Sequence, residues 1–230
     1  MTKELHVPYG AEPTGKLISG KSAVRGVDYI CPGCGHKLVL KTGPVKVRHF
    51  AHASNGACSY ESLLHKTAKA LIVQVITENA GANGTPGKLN LSNACTDCAC
   101  PKTTRLPAKT FSSAKQEVGV NGFVCDVVGY RGSQIALAIE IVHTHKVTEV
   151  KALALQVYWA ELNAIDVVEN PYVWNPIRAN LKPYRCSRCE GIRIRNFEDI
   201  KRQKNRLAKN PNRPLEHLEE AVQKVTREVH

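Results

Sequence analysis

Along the 230 residues the spacing of apolar positions changes rhythm several times. Residues 1–57 hold short β-prone runs broken by turns, without a helical period; Val24–Cys34, Lys37–Lys41 and Val45–Phe50 read as strands. From Tyr60 to Asn79 the pattern is helical, with Leu64, Ala68, Leu71, Ile72 and Val75 on one face. Glu61, His65 and Lys69 recur every fourth residue on an adjacent face, where a solvated ladder is the plain reading. The segment AGANGTPG, residues 80–87, then ends the helix. Thr110–Val118, Phe123–Tyr130 and Ile135–Val142 read as three strands, the last two joined through Arg131-Gly132-Ser133 into an antiparallel hairpin. Val147–Asn163 reads as a second amphipathic helix and Ile165–Val168 as a further strand. Ile192–Arg206 and Pro214–His230 read as two charged helices. The order helix, three strands, helix, strand predicts an α/β (α+β) core.

Two residues break the apolar hairpin: Asp126 in FVCDVVGY and Glu140 in IALAIEIV. A carboxylate in an apolar strand is costly unless it is paired or binds a cation. Two such residues on neighbouring strands point to a shared divalent metal.

The cysteines add a second kind of metal chemistry. Cys31-Pro-Gly-Cys34-Gly has the form of a zinc knuckle, and soft ligands follow at His49, His52 and Cys58. Those three compete for two places; His49 with His52 is the first choice and Cys58 the alternative. Cys95-x2-Cys98 has no partner nearby, so Cys186-x2-Cys189 is expected to complete a four-cysteine zinc ribbon, leaving Cys100 spare. Cys125 reads as a small core residue. A redox switch built from the CxxC pairs is the competing reading.

Composition narrows the class. With 43% hydrophobic residues the chain is globular, not disordered. No apolar run approaches the roughly 20 residues that span a bilayer, and the N-terminus lacks a signal-peptide core, so no membrane association and a cytoplasmic location are expected. The net charge of +12 favours a polyanionic partner, nucleic acid being the usual one, with a merely solvated basic surface as the plain alternative. The run Lys201–Arg206 is a candidate phosphate contact, and the charged C-terminal helices are candidates for DNA contact or pairing in a homo-oligomer.

Taken in order, CPxCG, HFAH, ESxxHxxxK and a hairpin ending EIxxTHxxxxxK make the chain resemble the competence protein CoiA-like family. Cys31, Cys34, His49, His52, Glu61, Ser62, His65, Lys69, Asp126, Glu140, Thr144, His145 and Lys151 carry the likeness. The resemblance implies a restriction-endonuclease-like αβββαβ core of the PD-(D/E)XK nuclease superfamily behind a small zinc module. The likeness spans roughly residues 24–168; with the cysteine pairs it suggests a β-rich zinc module (1–58), a nuclease-like core (59–175) with a zinc-knuckle insert (93–100), and, beyond the likeness, a second knuckle with a basic tail (176–230). It also implies that Asp126 and Glu140 hold Mg2+ or Mn2+ and that the Ile141 carbonyl is available as a further ligand. Glu61 would add an acid, and His65 and Lys69 would face the site. The lysine of the E-x-K pattern falls at Val142, so Lys151 or Lys69 must supply that cation. His145 is the candidate acid/base, and Glu117, one strand earlier, is either an acid that binds the metal or supports its ligands, or half of a surface pair with Lys115. The implied function is metal-dependent cleavage of DNA in processing, recombination or defence. The alternative is an inactive zinc-containing nucleic-acid-binding protein on a nuclease scaffold.

Overall fold

The computed structural model of the chain describes residues 6–43, 47–54, 58–80, 88–143 and 148–209, with side chains as far as residue 206. It is a mixed α/β fold in two compact units, one of residues 1–93 with 101–182 and one of residues 94–100 with 183–230.

The first unit begins with five short strands: β1 (Tyr9–Ala11), β2 (Leu17–Ser19), β3 (Tyr29–Ile30), β4 (Lys37–Lys41) and β5 (His49–His52). They form one sheet in the order β2-β1-β3-β4-β5. The run Val24–Cys34, expected as a strand, contributes only Tyr29 and Ile30 to it. The cysteine knuckle follows at once: Gly35 sits at φ 73 and donates its N–H to the Cys31 carbonyl at 2.8 Å, a left-handed turn that glycine adopts without strain.

Helix α1 (Tyr60–Ala80) knits this module to the core. Leu63 is buried among Val7, Tyr29, Leu38 and Phe50 of the first sheet. Leu64, Ala68, Leu71, Ile72 and Val75, the face read from the helical period, pack against the second sheet. Next come β6 (Asn90–Ala94), β7 (Pro101–Arg105), β8 (Ser113–Val120), β9 (Phe123–Arg131) and β10 (Gln134–Val142). They are followed by helix α2 (Glu149–Ala154), strand β11 (Trp159–Asn163), helix α3 (Ala164–Glu169), and strands β12 (Val173–Trp174) and β13 (Arg178–Asn180). Helix α4 (Ser187–Lys209) belongs to the second unit.

The main sheet runs β13-β11-β10-β9-β8, with β8, β9 and β10 antiparallel and β11 parallel to β10. Around it the chain order is α1, three strands, α2, and then a parallel strand. One face carries Val127, Leu137, Ile139, Ile141, Ala160 and Leu162 against α1. The other carries Cys125, Val128, Ala138 and Trp159 with Leu155.

Two elements differ from the sequence reading. The helix expected over Val147–Asn163 stops at Ala154, and its last residues are strand β11. Val150 and Leu153, counted there as an apolar face, are 70% and 80% exposed. Gln156 at φ 49 turns the chain out of the helix. Trp159, Ala160, Glu161 and Leu162 are all buried because β11 is covered on both faces, so it lacks the alternation that marks a strand. The strand expected at Ile165–Val168 is helix α3, whose N-cap Asn163 accepts from the N–H groups of Ile165 and Asp166. The expected helix at Pro214–His230 lies outside the described residues.

Candidate metal and catalytic centre

The hairpin of β9 and β10 opens where its two acids stand. Its ladder pairs run as far as Ile139 with Val127. Asp126 and Glu140 come next in register but do not pair; instead Asp126 Oδ2 accepts the Ile141 N–H at 2.8 Å. The β8–β9 ladder is interrupted at the same level, between the pairs Gln116–Val127 and Val118–Cys125. The residue skipped there is Glu117, held at φ 52, a conformation costly for a non-glycine residue. Asp126 therefore lies at a local break in both ladders that flank β9.

Helix α1 brings cations to that break. His65 Nε2 lies 3.3 Å from Asp126 Oδ2, and Lys69 Nζ lies 3.6 Å from Asp126 Oδ1. Lys69 is almost fully buried and also ion-pairs with Glu117. The two ladder residues His65 and Lys69 thus face the carboxylates, not solvent. Glu61, one turn earlier, is half exposed, with its Oε1 3.7 Å from His143 Nδ1. From α2, Lys151 Nζ donates 2.7 Å bonds to Glu140 Oε2 and to the Val124 carbonyl. Glu140 Oε1 is buried with no hydrogen-bond partner among the described residues. His145 and Thr144 lie outside the described residues.

The electrostatics of the two acids diverge. Burial raises the Asp126 carboxyl, but the bond from His65 and the Ile141 N–H outweigh it and hold Asp126 below the usual carboxylate range. Its negative charge in turn raises His65 above an ordinary histidine. For Glu140, burial dominates; Lys151 opposes it, Asp126 adds to it, and the net shift is upward. Burial, with the Glu140 charge close by, pushes the Cys125 thiol up to about 12, so it stays a neutral core residue.

Sequence reasoning missed two groups here. Glu161 is fully buried and stands in register with Glu140 on β11. It was hidden because its segment read as helix. His143, beside Glu61, immediately follows Val142 at the end of β10, where a polar residue after an apolar run was the available signal.

The sulfur ligands form two separate clusters. Cys31, Cys34, His52 and Cys58 bring their ligand atoms to within 4.8 Å of one another, as do Cys95, Cys98, Cys186 and Cys189. Among the described residues these are the only groups of three or more such ligands. Zinc–sulfur bonds of about 2.3 Å at tetrahedral angles put two sulfurs roughly 3.8 Å apart. Cys31 and Cys58 are 3.7 Å apart and Cys98 and Cys186 3.7 Å, so both clusters fit a tetrahedral zinc ion. All nine cysteines are free thiols. The Cys186 N–H helps hold Cys95 at about 6, and although burial raises Cys34, the His36 backbone and neighbouring thiols bring it to about 6, whereas burial and the same neighbours push Cys58 up to about 12.

One ligand choice is corrected. His49 is not in the first cluster; it is buried, stacks on the His6 ring at 3.9 Å, and its Nδ1 lies 2.8 Å from the Val47 carbonyl. His49 and His52 are three apart on a strand, and residues at that spacing point to opposite faces. Cys58 takes the fourth place. Gly33 makes room for it, since a Cβ there would lie 3.2 Å from Cys58 Sγ.

No curated protein and no solved structure matches the chain. Residues 18–61 match the family described as the competence protein CoiA, N-terminal domain. That match contains the whole first cluster, Cys31, Cys34, His52 and Cys58, and ends at Glu61. Over that module the chain is similar to the competence protein CoiA family.

Proposed function

We propose that the chain is a metal-dependent nuclease that hydrolyses phosphodiester bonds in DNA, on a core of the PD-(D/E)XK type. The observation that carries this reading is Asp126 beside Glu140 at the opening of the β9–β10 ladder, with Glu140 Oε1 buried and unpartnered among the described residues. The order α1, β8, β9, β10, α2, β11, with β10 and β11 parallel, is that of the superfamily core and supports it.

A buried carboxylate oxygen without a donor suits a hard cation, so Asp126 and Glu140 are the residues that would hold Mg2+ or Mn2+. Bound there, the ion would polarise the scissile phosphate and lower the pKa of water. The chain's own groups divide the remaining work. Lys69 stands in for the lysine that Val142 replaces: its ammonium lies beside Asp126, is held by Glu117, and stabilises negative charge developing on the phosphate. Lys151, fixed between Glu140 and the Val124 carbonyl, orients Glu140. His65, raised by Asp126, is protonated over a wider pH range than a free histidine and supplies a proton on that side of the site. Glu61, with His143, is a further acid of the same face.

The test is cleavage of plasmid and linear DNA with Mg2+ or Mn2+. Asp126→Ala and Glu140→Ala are each expected to abolish cleavage, and Lys69→Ala to lower it about 100-fold or more, the scale of a lost charge-stabilising donor. Full activity in both carboxylate variants would overturn the assignment.

A second reading has its own observation. Both acids already touch protein cations, Glu140 through Lys151 and Asp126 through His65 and Lys69. A scaffold that kept this internal neutralisation would bind DNA in a salt-dependent way and show no metal-stimulated cleavage.

A further inference from the structure

Helix α4 carries its charge in an ordered row. Arg188, Arg195 and Arg202 are spaced seven apart and Arg206 follows four later. At 3.6 residues per turn the four fall within about 40° of one another around the helix axis. The row is about 27 Å long at 1.5 Å per residue. All four side chains are exposed. Arg202 lies 3.7 Å from Asp199, an exposed pair of little energetic weight, and no ion pair engages the other three among the described residues. Ile194, Phe197 and Ile200 occupy the other side of the helix. The helix start is held by Cys186 and Cys189 of the second cluster, and Arg185 beside them is tied to Asp97 at 2.5 Å.

We propose that this arginine row is a docking face for the phosphate backbone of a nucleic-acid duplex. A straight row of exposed guanidinium groups, of which only Arg202 has an ion-pair partner among the described residues, matches a regular line of phosphates. Arginine suits it better than lysine because its planar fork binds phosphate oxygens in pairs. The contact is made with the backbone, so it carries affinity and register without sequence preference. The inference rests on nucleic acid being the partner and not on cleavage.

The experiment uses the full-length, zinc-loaded protein carrying Asp126→Ala and a fluorescent 20-base-pair DNA duplex, with anisotropy measured across a KCl series. Arg195→Gln with Arg202→Gln is compared with Lys16→Gln with Lys21→Gln, two exposed lysines of the first unit, which removes the same charge away from the row. Each lost phosphate contact lowers the slope of log K against log salt by about 0.9. The arginine pair is therefore expected to lower the slope by roughly 2 and to weaken binding at least tenfold, with zinc content unchanged. The lysine pair is expected to leave slope and affinity near those of the parent. Equal losses from the two pairs, no loss from the arginine pair, or binding of the parent to phosphatidylserine vesicles but not to the duplex would each overturn the proposal. Cleavage by the protein with Asp126 restored is scored separately, so failure of the nuclease reading leaves the binding result intact.

Discussion

Glu140 and Asp126 are adjacent acids in one hairpin, yet their surroundings drive them apart. Asp126 gathers donors from α1 and from the Ile141 backbone, and stays ionised well into acid. Glu140 has one lysine for one oxygen and no hydrogen-bond donor for the other among the described residues, and burial raises it. A pair with separated affinities for protons is what acid/base work needs, and it also leaves one oxygen ready for a cation. His65 reports on this arrangement. Because its folded value lies above that of the unfolded chain, its bond to Asp126 stabilises the fold fully below the ordinary histidine range. That contribution is lost as pH rises through the raised value. Histidine NMR titration of the protein freed of Mg2+ and Mn2+ is expected to place His65 above a free histidine, and Asp126→Asn to bring it back towards 6.5. A His65 titration unmoved by that substitution would mean the contact is not made in solution.

At the scale of elements, what the sequence made legible follows what periodicity can carry. Helix α1 and the β9–β10 hairpin were visible because each buries one recurrent face: Leu64, Ala68, Leu71, Ile72 and Val75 for the helix, and apolar runs closed by a turn for the hairpin. The stretch from Glu149 to Glu169 was not, because β11 is buried on both faces and its Trp-Ala-Glu-Leu offers no alternation. Candidate acids and cysteine pairs were legible from residue type and order. That His49 turns away and Cys58 turns in was not, because it depends on where strand β5 begins and hence on which face each of its histidines takes. The signal for α3 lay in one residue. Asn163 ends β11 and caps α3, with its Oδ1 2.8 Å from Ile165 N and 3.4 Å from Asp166 N. Asn163→Ala is expected to cost about 1 kcal/mol in urea denaturation, the usual loss for a helix cap. A change within ~0.2 kcal/mol would mean that α3 is held by its buried Ala164, Val167 and Val168 alone.

At the scale of the molecule, the two sulfur clusters do the work of chain closure that a larger apolar core does elsewhere. The second unit joins residues 94–100 to a segment beginning at 183, and Cys95 and Cys186 meet across 91 positions of sequence. Its described side chains are mostly exposed, and so short a body with little buried apolar surface generally needs a metal to fold. The first cluster is embedded differently: Cys31 is buried with Tyr29, Phe50 and Leu63, so apolar packing shares the load there. Elemental analysis should therefore return about two zinc ions per chain, one for each cluster. Cys58→Ser should lower that to about one, whereas His49→Ala should keep both, since His49 lies outside the cluster. Cys186→Ser should also leave one zinc, and hydrogen exchange should show protection lost over residues 187–209 while α1 and the β8–β10 strands keep theirs. Full zinc in Cys58→Ser, or loss of zinc in His49→Ala, would restore the histidine pair as the ligands. Undiminished protection of α4 in Cys186→Ser would show that the second unit holds together by packing and not by its metal.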